Sequence, residues 1–202
     1  DAVVEKLVKA GIQNVNLSLD HPNEQEHDKN RAFPGAYRAA EEAVSLLRAA
    51  SVPVVISTYA TKAKIRDGSM VGVIERAREW GANGVKILHP ILSGRFLEQE
   101  SEALDKRDMD ILCLLADPDF VYLEDAFELF KPDSPACSTL KKQFFYLAPD
   151  GEVQPCPGIP ISFGNLREEP VSLVVTRMWA HSMFALGTTS CDTCLANDPG
   201  WP

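Results

Sequence analysis

Five cysteines are the residues of this 202-residue chain best suited to inorganic chemistry: Cys113, Cys137, Cys156, Cys191 and Cys194. Cys137 is followed by thirteen residues, then Gly151, then four residues, then Cys156, and a Cys-x-x-Cys follows at Cys191 and Cys194. Four thiolates can close the ligand sphere of a zinc ion or of an iron–sulfur cluster. A turn at Gly151 returns Cys156 toward the segment that carries Cys137, and the Cys-x-x-Cys lets two sulfurs converge from one turn. Zinc ribbons usually use two close pairs. Here one pair is close and the other is separated by eighteen residues, so the spacing leaves a structural four-cysteine zinc site and a cluster both open. Cys113, inside ILCLLA, reads as a plain core residue of a helix.

Few other side chains group into a reactive set. His21, His27 and His89 are candidate proton donors or substrate contacts, but isolated histidines more often serve structure, and that reading is preferred for each. Lys62 and Lys86 are the candidates if the chain were an aldolase-like barrel, and no pattern orders them into a site.

The elements that would position these groups alternate along the first 90 residues. Val3, Leu7 and Ala10 give residues 2–10 a helical stripe ended by Gly11. Residues 14–19 fit a strand. Tyr37, Ala40, Val44 and Leu47 mark a helix over 35–50, and the β-branched run 53–58 marks a buried strand. Met70, Val73, Ala77 and Trp80 mark a helix over 69–80, with Ser69 expected as its cap and Gly81 at its end. Residues 84–89 make a third strand, and a helix spans 104–116. Strands and helices in series imply parallel strands with right-handed crossovers, whose chemistry lies at the strands' C-terminal ends. Those ends carry Ser18 and Asp20, Thr58 and Tyr59, and Leu88 and His89. Three strands are too few for a closed barrel, so this part reads as the second half of one.

The tail differs. KKQFFYLAPDGEVQPC reads as two short strands around Pro149-Asp150-Gly151. Residues 170–184 read as a helix with Val171, Val174, Met178 and His181 facing inward, and Pro170 suits its first turn. A boundary near 120–135 divides the chain into domains 1–120 and 121–202.

Composition bounds the partners. A net charge of −9 excludes a nucleic-acid-binding face as the default. No apolar run nears the roughly 18 residues of a membrane span. The opening segment is an amphipathic helix without the basic region and cleavage site of a signal peptide, so a cytoplasmic protein is expected. The chain opens with Asp inside that helix, which suggests a fragment.

The Cys-x13-Gly-x4-Cys spacing around PDGEVQPC resembles the SPASM and Twitch auxiliary-cluster domains of radical S-adenosylmethionine enzymes, and FGNLREEPVSLV followed by MWAHSMF is similar to the same group. VNLSLDHPNEQEHDKNR resembles the fourth-strand segment of that superfamily, with a Ser-x-Asp strand end, a His-Asp pair and an Arg. The superfamily's defining Cys-x3-Cys-x2-Cys does not occur in these 202 residues. The resemblance implies the C-terminal half of a partial (β/α)6 TIM-like barrel followed by a small α+β cluster domain. It implies one auxiliary 4Fe-4S cluster held by Cys137, Cys156, Cys191 and Cys194, in an electron-transfer or structural role. In the intact enzyme it implies S-adenosylmethionine on a second 4Fe-4S cluster, hydrogen abstraction by a 5′-deoxyadenosyl radical, and modification of a peptide or small metabolite. An electron donor such as flavodoxin or ferredoxin would be the partner, and this chain alone would be inactive. Ser18 matches the strand-end serine near the cofactor's methionyl carboxylate or ribose, and Leu88 would offer backbone atoms to adenine. Arg31 matches a carboxylate-binding arginine, or else pairs with Asp20 or Asp28. Asp20 is placed at the same site or caps the loop.

Overall fold

The computed structural model describes residues 2–88, 90, 104–124, 139, 141–157, 159 and 161–184. They fall into two compact units.

The first unit runs α1 (Ala2–Lys9), β1 (Val15–Ser18), α2 (Glu24–Arg31), α3 (Ala36–Ala49), β2 (Val54–Tyr59), α4 (Lys62–Arg66), α5 (Ser69–Trp80), β3 (Gly84–Leu88), α6 (Lys106–Leu115) and β4 (Val121–Leu123). The four strands form one parallel sheet in the order β1-β2-β3-β4. Strands in chain order with helices between them give the α/β architecture expected from the alternating pattern. The core lies on one sheet face. Val54 and Ile56 of β2 and Val85 and Ile87 of β3 are buried there, with Val44 and Leu47 of α3 and Met70, Val73 and Ala77 of α5. These are the apolar positions that recur at helical spacing in the sequence.

Several features depart from the sequence reading. Residues 121–123 supply a fourth strand. Short helices occupy Glu24–Arg31 and Lys62–Arg66, where no helix is predicted. Ser69 is not the cap of α5; Gly68 holds that position, and the Ser69 hydroxyl instead donates to Asp67 Oδ1 at 2.6 Å. The stripe of α1 carries no buried residue, Val3 being 63% exposed. Cys113 is exposed on α6, not in the core: Leu112 turns inward, and its neighbours Cys113 and Leu114 turn outward.

The second unit contains the antiparallel hairpin β5 (Tyr146–Leu147) and β6 (Val153–Gln154), then α7 (Val171–Ala180) and a 3₁₀ turn at Ser182–Phe184. Gly151 sits in the hairpin turn with φ +97°, a conformation that glycine adopts without a Cβ penalty. The Gly-Asn-Leu-Arg run secures this turn. Asn165 Nδ2 donates to the Asp150 carbonyl at 3.2 Å and to Glu152 Oε1 at 2.9 Å, while its Oδ1 accepts the Arg167 N–H at 2.9 Å. Val153, Val174, Val175 and Met178 form the core, with Phe145, Phe163, Leu166, Trp179 and Phe184 against it. Val171 and His181, predicted to face inward, are exposed. The inward positions are Val174, Val175 and Met178, because the helix ends at Ala180 and the chain leaves helical geometry at His181. No helix among the described residues is long and apolar enough to cross a membrane.

Ile56 is fully buried in a central strand. Ile56→Ala should lower unfolding stability by about 2–5 kcal/mol, measured by urea denaturation.

Candidate functional site

The strand ends bring a set of polar side chains together. Leu19 continues the β1 ladder by one bond, its N–H donating to the Ser57 carbonyl at 3.0 Å, and its fully buried side chain anchors the turn that follows. Asp20 comes next and is buried, with 4% of its surface exposed. Arg31, in the last turn of α2, meets it with a two-pronged contact: Nε lies 2.7 Å from Oδ2 and Nη2 donates to Oδ1 at 3.0 Å. Paired parallel bonds of this kind are the strong form of an arginine–carboxylate contact.

The neighbouring His-Asp pair turns out to be structural. His27 is buried, and its Nδ1 accepts the Asp20 N–H at 3.1 Å. That bond needs Nδ1 unprotonated, and burial lowers the imidazole's affinity for a second proton in the same direction. Its ring packs edge-on against Tyr37, which packs edge-on against Trp80. Asp28 accepts the N–H groups of Gly35 at 2.6 Å and Tyr37 at 2.8 Å, and these two bonds hold its carboxyl below the usual aspartate range. It thus caps α3, whose own N-cap, Gly35, has no side chain to do so. His21 accepts the Asn23 N–H at 3.0 Å, a local turn contact. Arg31 therefore pairs with Asp20, and not with Asp28.

At the end of β2 the structure adds a residue that the sequence reading passes over. Lys64 of α4 is buried, and its ammonium donates to Thr58 Oγ1 and to the Tyr59 carbonyl, both at 2.9 Å. It also lies 4.3 Å from the centre of the Tyr59 ring, a cation–π distance. Burial pulls its pKa down to about 8, partly offset by the Asp20 carboxylate, while Arg31 adds to the depression. Lys62, the lysine singled out from the sequence, lies two positions away and only half-buried. The one usable signal was the six-residue offset from Thr58 to Lys64, which a short helix after the strand can close. Tyr59 is 40% exposed and pairs in register with Leu88 on β3. The Leu88 carbonyl accepts the Ala60 N–H at 2.9 Å. Ser18 ends β1 exposed, in register with Ser57.

The cysteine set is only partly within the described residues. Cys137, Cys191, Cys194 and also His89 lie outside them. Cys156 is half-buried just after β6. Thr139, buried at 4% exposure, donates from Oγ1 to the Pro155 carbonyl at 3.2 Å, which ties the chain two residues past Cys137 to the residue before Cys156. Among the described residues, no three His, Cys, Asp or Glu side chains group as metal ligands.

The chain is 25% identical over 197 residues to the AdoMet-dependent heme synthase of Methanosarcina barkeri, a match spanning 83% of this chain. The chain spans 54% of the length of that curated relative. No family model matches it. Its fold is similar to that of anSMEcpe solved with bound AdoMet and the Kp18Cys peptide, with a TM-score of 0.60, 14% identity, and coverage of 98% of this chain and 57% of the other. It is likewise similar to Streptococcus suis SuiB bound to the precursor peptide SuiA, with a TM-score of 0.60, 12% identity, and coverage of 92% and 46%.

The sign of the Lys64 effect is testable. With a folded pKa near 8 and an ordinary value of 10.5, the unfolded chain holds the proton more tightly between those values, so stability rises with pH there. Wild type should gain about 3 kcal/mol on Lys64→Met between pH 8 and 10.5. A flat difference in chemical denaturation across that window would contradict the assignment.

Proposed function

We propose that this chain is part of a radical S-adenosylmethionine enzyme acting on a peptide or a small metabolite. In this reading the unit that ends with β4 and Glu124, four residues beyond the boundary expected at 120, contributes βα units of a partial (β/α)6 barrel, and the second unit is an auxiliary-cluster domain. The observation that carries it is the buried polar rim at the ends of β1 and β2, in a chain similar over most of its length to an AdoMet-dependent enzyme. The solved neighbours hold peptides, which favours the peptide side of the substrate class.

S-adenosylmethionine bound at a reduced 4Fe-4S cluster would supply one-electron radical chemistry for removing a hydrogen atom from the substrate. The chain's own residues position that cofactor. Ser18 would offer an exposed hydroxyl to its methionyl carboxylate or ribose. The Arg31 guanidinium would face the carboxylate, held in orientation by Asp20. The backbone at Leu88 would face the adenine. Lys64 fixes the end of β2 beside them, and its charge adds to the positive potential set by Arg31.

For the auxiliary cluster, the proposed ligands are Cys137, Cys156, Cys191 and Cys194. The Thr139–Pro155 hydrogen bond supports the first pair, since it brings the chain near Cys137 to the neighbour of Cys156. Thiolate donors suit an iron–sulfur centre as well as zinc. Full ligation by protein gives this cluster an electron-transfer or structural role.

Anaerobic reconstitution of the 202-residue chain with iron and sulfide should give about four irons per chain and a broad absorbance near roughly 400 nm, and Cys156→Ser should lose most of both. Stoichiometric zinc with no visible absorbance would replace the cluster with a four-cysteine zinc site.

A further inference from the structure

One face of the parallel sheet carries the core, and the other is lined with polar groups. The pairing register sets Ser18, Ser57, Lys86 and Tyr122 side by side across all four strands on that second face. Interior layers of parallel βα sheets are normally filled by Val, Ile and Leu. Here two hydroxymethyl groups stand where branched aliphatics would, so the row is polar. The Tyr122 ring lies over Gly84 at the start of β3: a Cβ at that glycine would come within 2.7 Å of the ring. The glycine thus lets the ring lie flat and close the row's lower side.

Lys86 is the one cation among the strand residues of this face, and its side chain is 44% exposed. Its ammonium lies 3.9 Å from Glu124 Oε1. At that distance the attraction is Coulombic rather than a directed hydrogen bond. Glu124 therefore makes no directed bond to this ammonium, which stands partly open in a setting that also offers hydroxyl donors.

The geometry points to this row as the recognition site for a carboxylate group on the substrate, with Lys86 as its charge partner and the Ser57 and Tyr122 hydroxyls as hydrogen-bond donors. The inference deepens the radical-enzyme reading and rests on it only in taking this sheet face as the substrate side. The carboxylate belongs either to a small organic acid or to an acidic residue of a peptide. In both cases the group that recognises it is the same, and a neutral amide in its place would leave Lys86 without a charge partner from the ligand.

Titration calorimetry on the full-length protein tests this with glutarate, with the capped tripeptide Ac-Ala-Glu-Ala-NH2, and with its Gln counterpart. At least one carboxylate probe should bind saturably, the Gln peptide should bind at least tenfold more weakly than its Glu counterpart, and Lys86→Met should weaken the responding probe about tenfold or more. Lys86→Arg should retain most of the affinity. Glutarate binding alone assigns the site to a small acid, and peptide binding alone assigns it to an acidic peptide. Failure of both carboxylate probes to bind, or equal affinity in Lys86→Met, overturns the proposal. Cleavage of S-adenosylmethionine by the reduced full-length protein is measured in parallel. Carboxylate binding without that cleavage would sink the radical-enzyme reading alone.

Discussion

The buried pair between Asp20 and Arg31 is the contact on which the strand-end site depends. Asp20 follows β1 directly and is almost wholly removed from water, so its charge is tolerable only with a partner that satisfies both oxygens. Arg31 does this with two bonds, and to reach them α2 must return along the end of the sheet. That return fixes His27 beneath the Asp20 amide and Asp28 at the start of α3. One ion pair thus couples the end of a strand to the placement of two helices. Such pairs add little net stability, because desolvation offsets attraction, but they select one arrangement sharply. Here the arrangement selected is the one that sets Lys64, Thr58 and Tyr59 beside the same carboxylate.

The charges of that cluster are closely interlocked. Arg31 bonds the Asp20 carboxylate and Lys64 feels it at longer range, while His27 is kept neutral by its own hydrogen bond. Asp67 also acts on Lys64, so the cations are matched by carboxylates, and the cluster stands at the C-terminal edge of a parallel sheet, where ligands of α/β folds bind. Lys64 is held there at an energetic cost, visible in its depressed pKa. A strained or desolvated group maintained at such an edge fits a role in ligand positioning better than a role in packing.

Much of the fold was legible because it is periodic. The helices at 36–49 and 69–80 and the strands at 54–59 and 84–88 follow from apolar spacing and β-branched runs alone. The elements that were missed lack such a signal. EQEHDKNR has no apolar stripe; it is helical because Asn23 caps its start and Asp28 and Arg31 bond outside it. Lys62–Arg66 is a single short turn, and β4 is three residues long. Cys113 was misplaced because an apolar run looks buried all round, whereas a surface helix buries one stripe. Of the site, Ser18, Asp20, Thr58, Tyr59 and Leu88 could be named from their position at strand ends, and Arg31 from the resemblance of its segment. Lys64 could not, since its importance comes from burial and from bonds to Thr58 and Tyr59 that only folding creates. Three of the four clustered cysteines fall outside the described residues, so their sequence spacing remains the basis for grouping them.

The outer side of β1 carries one more implication. Among the described residues this strand is hydrogen-bonded on one side only, and the other side presents a short ladder of amides and carbonyls. Such an edge templates whatever extended backbone meets it. What occupies that flank therefore bears on the solution behaviour of this unit alongside its surface charge. A covering strand would keep it dispersed, and an uncovered one would draw copies into shared sheets despite their mutual repulsion.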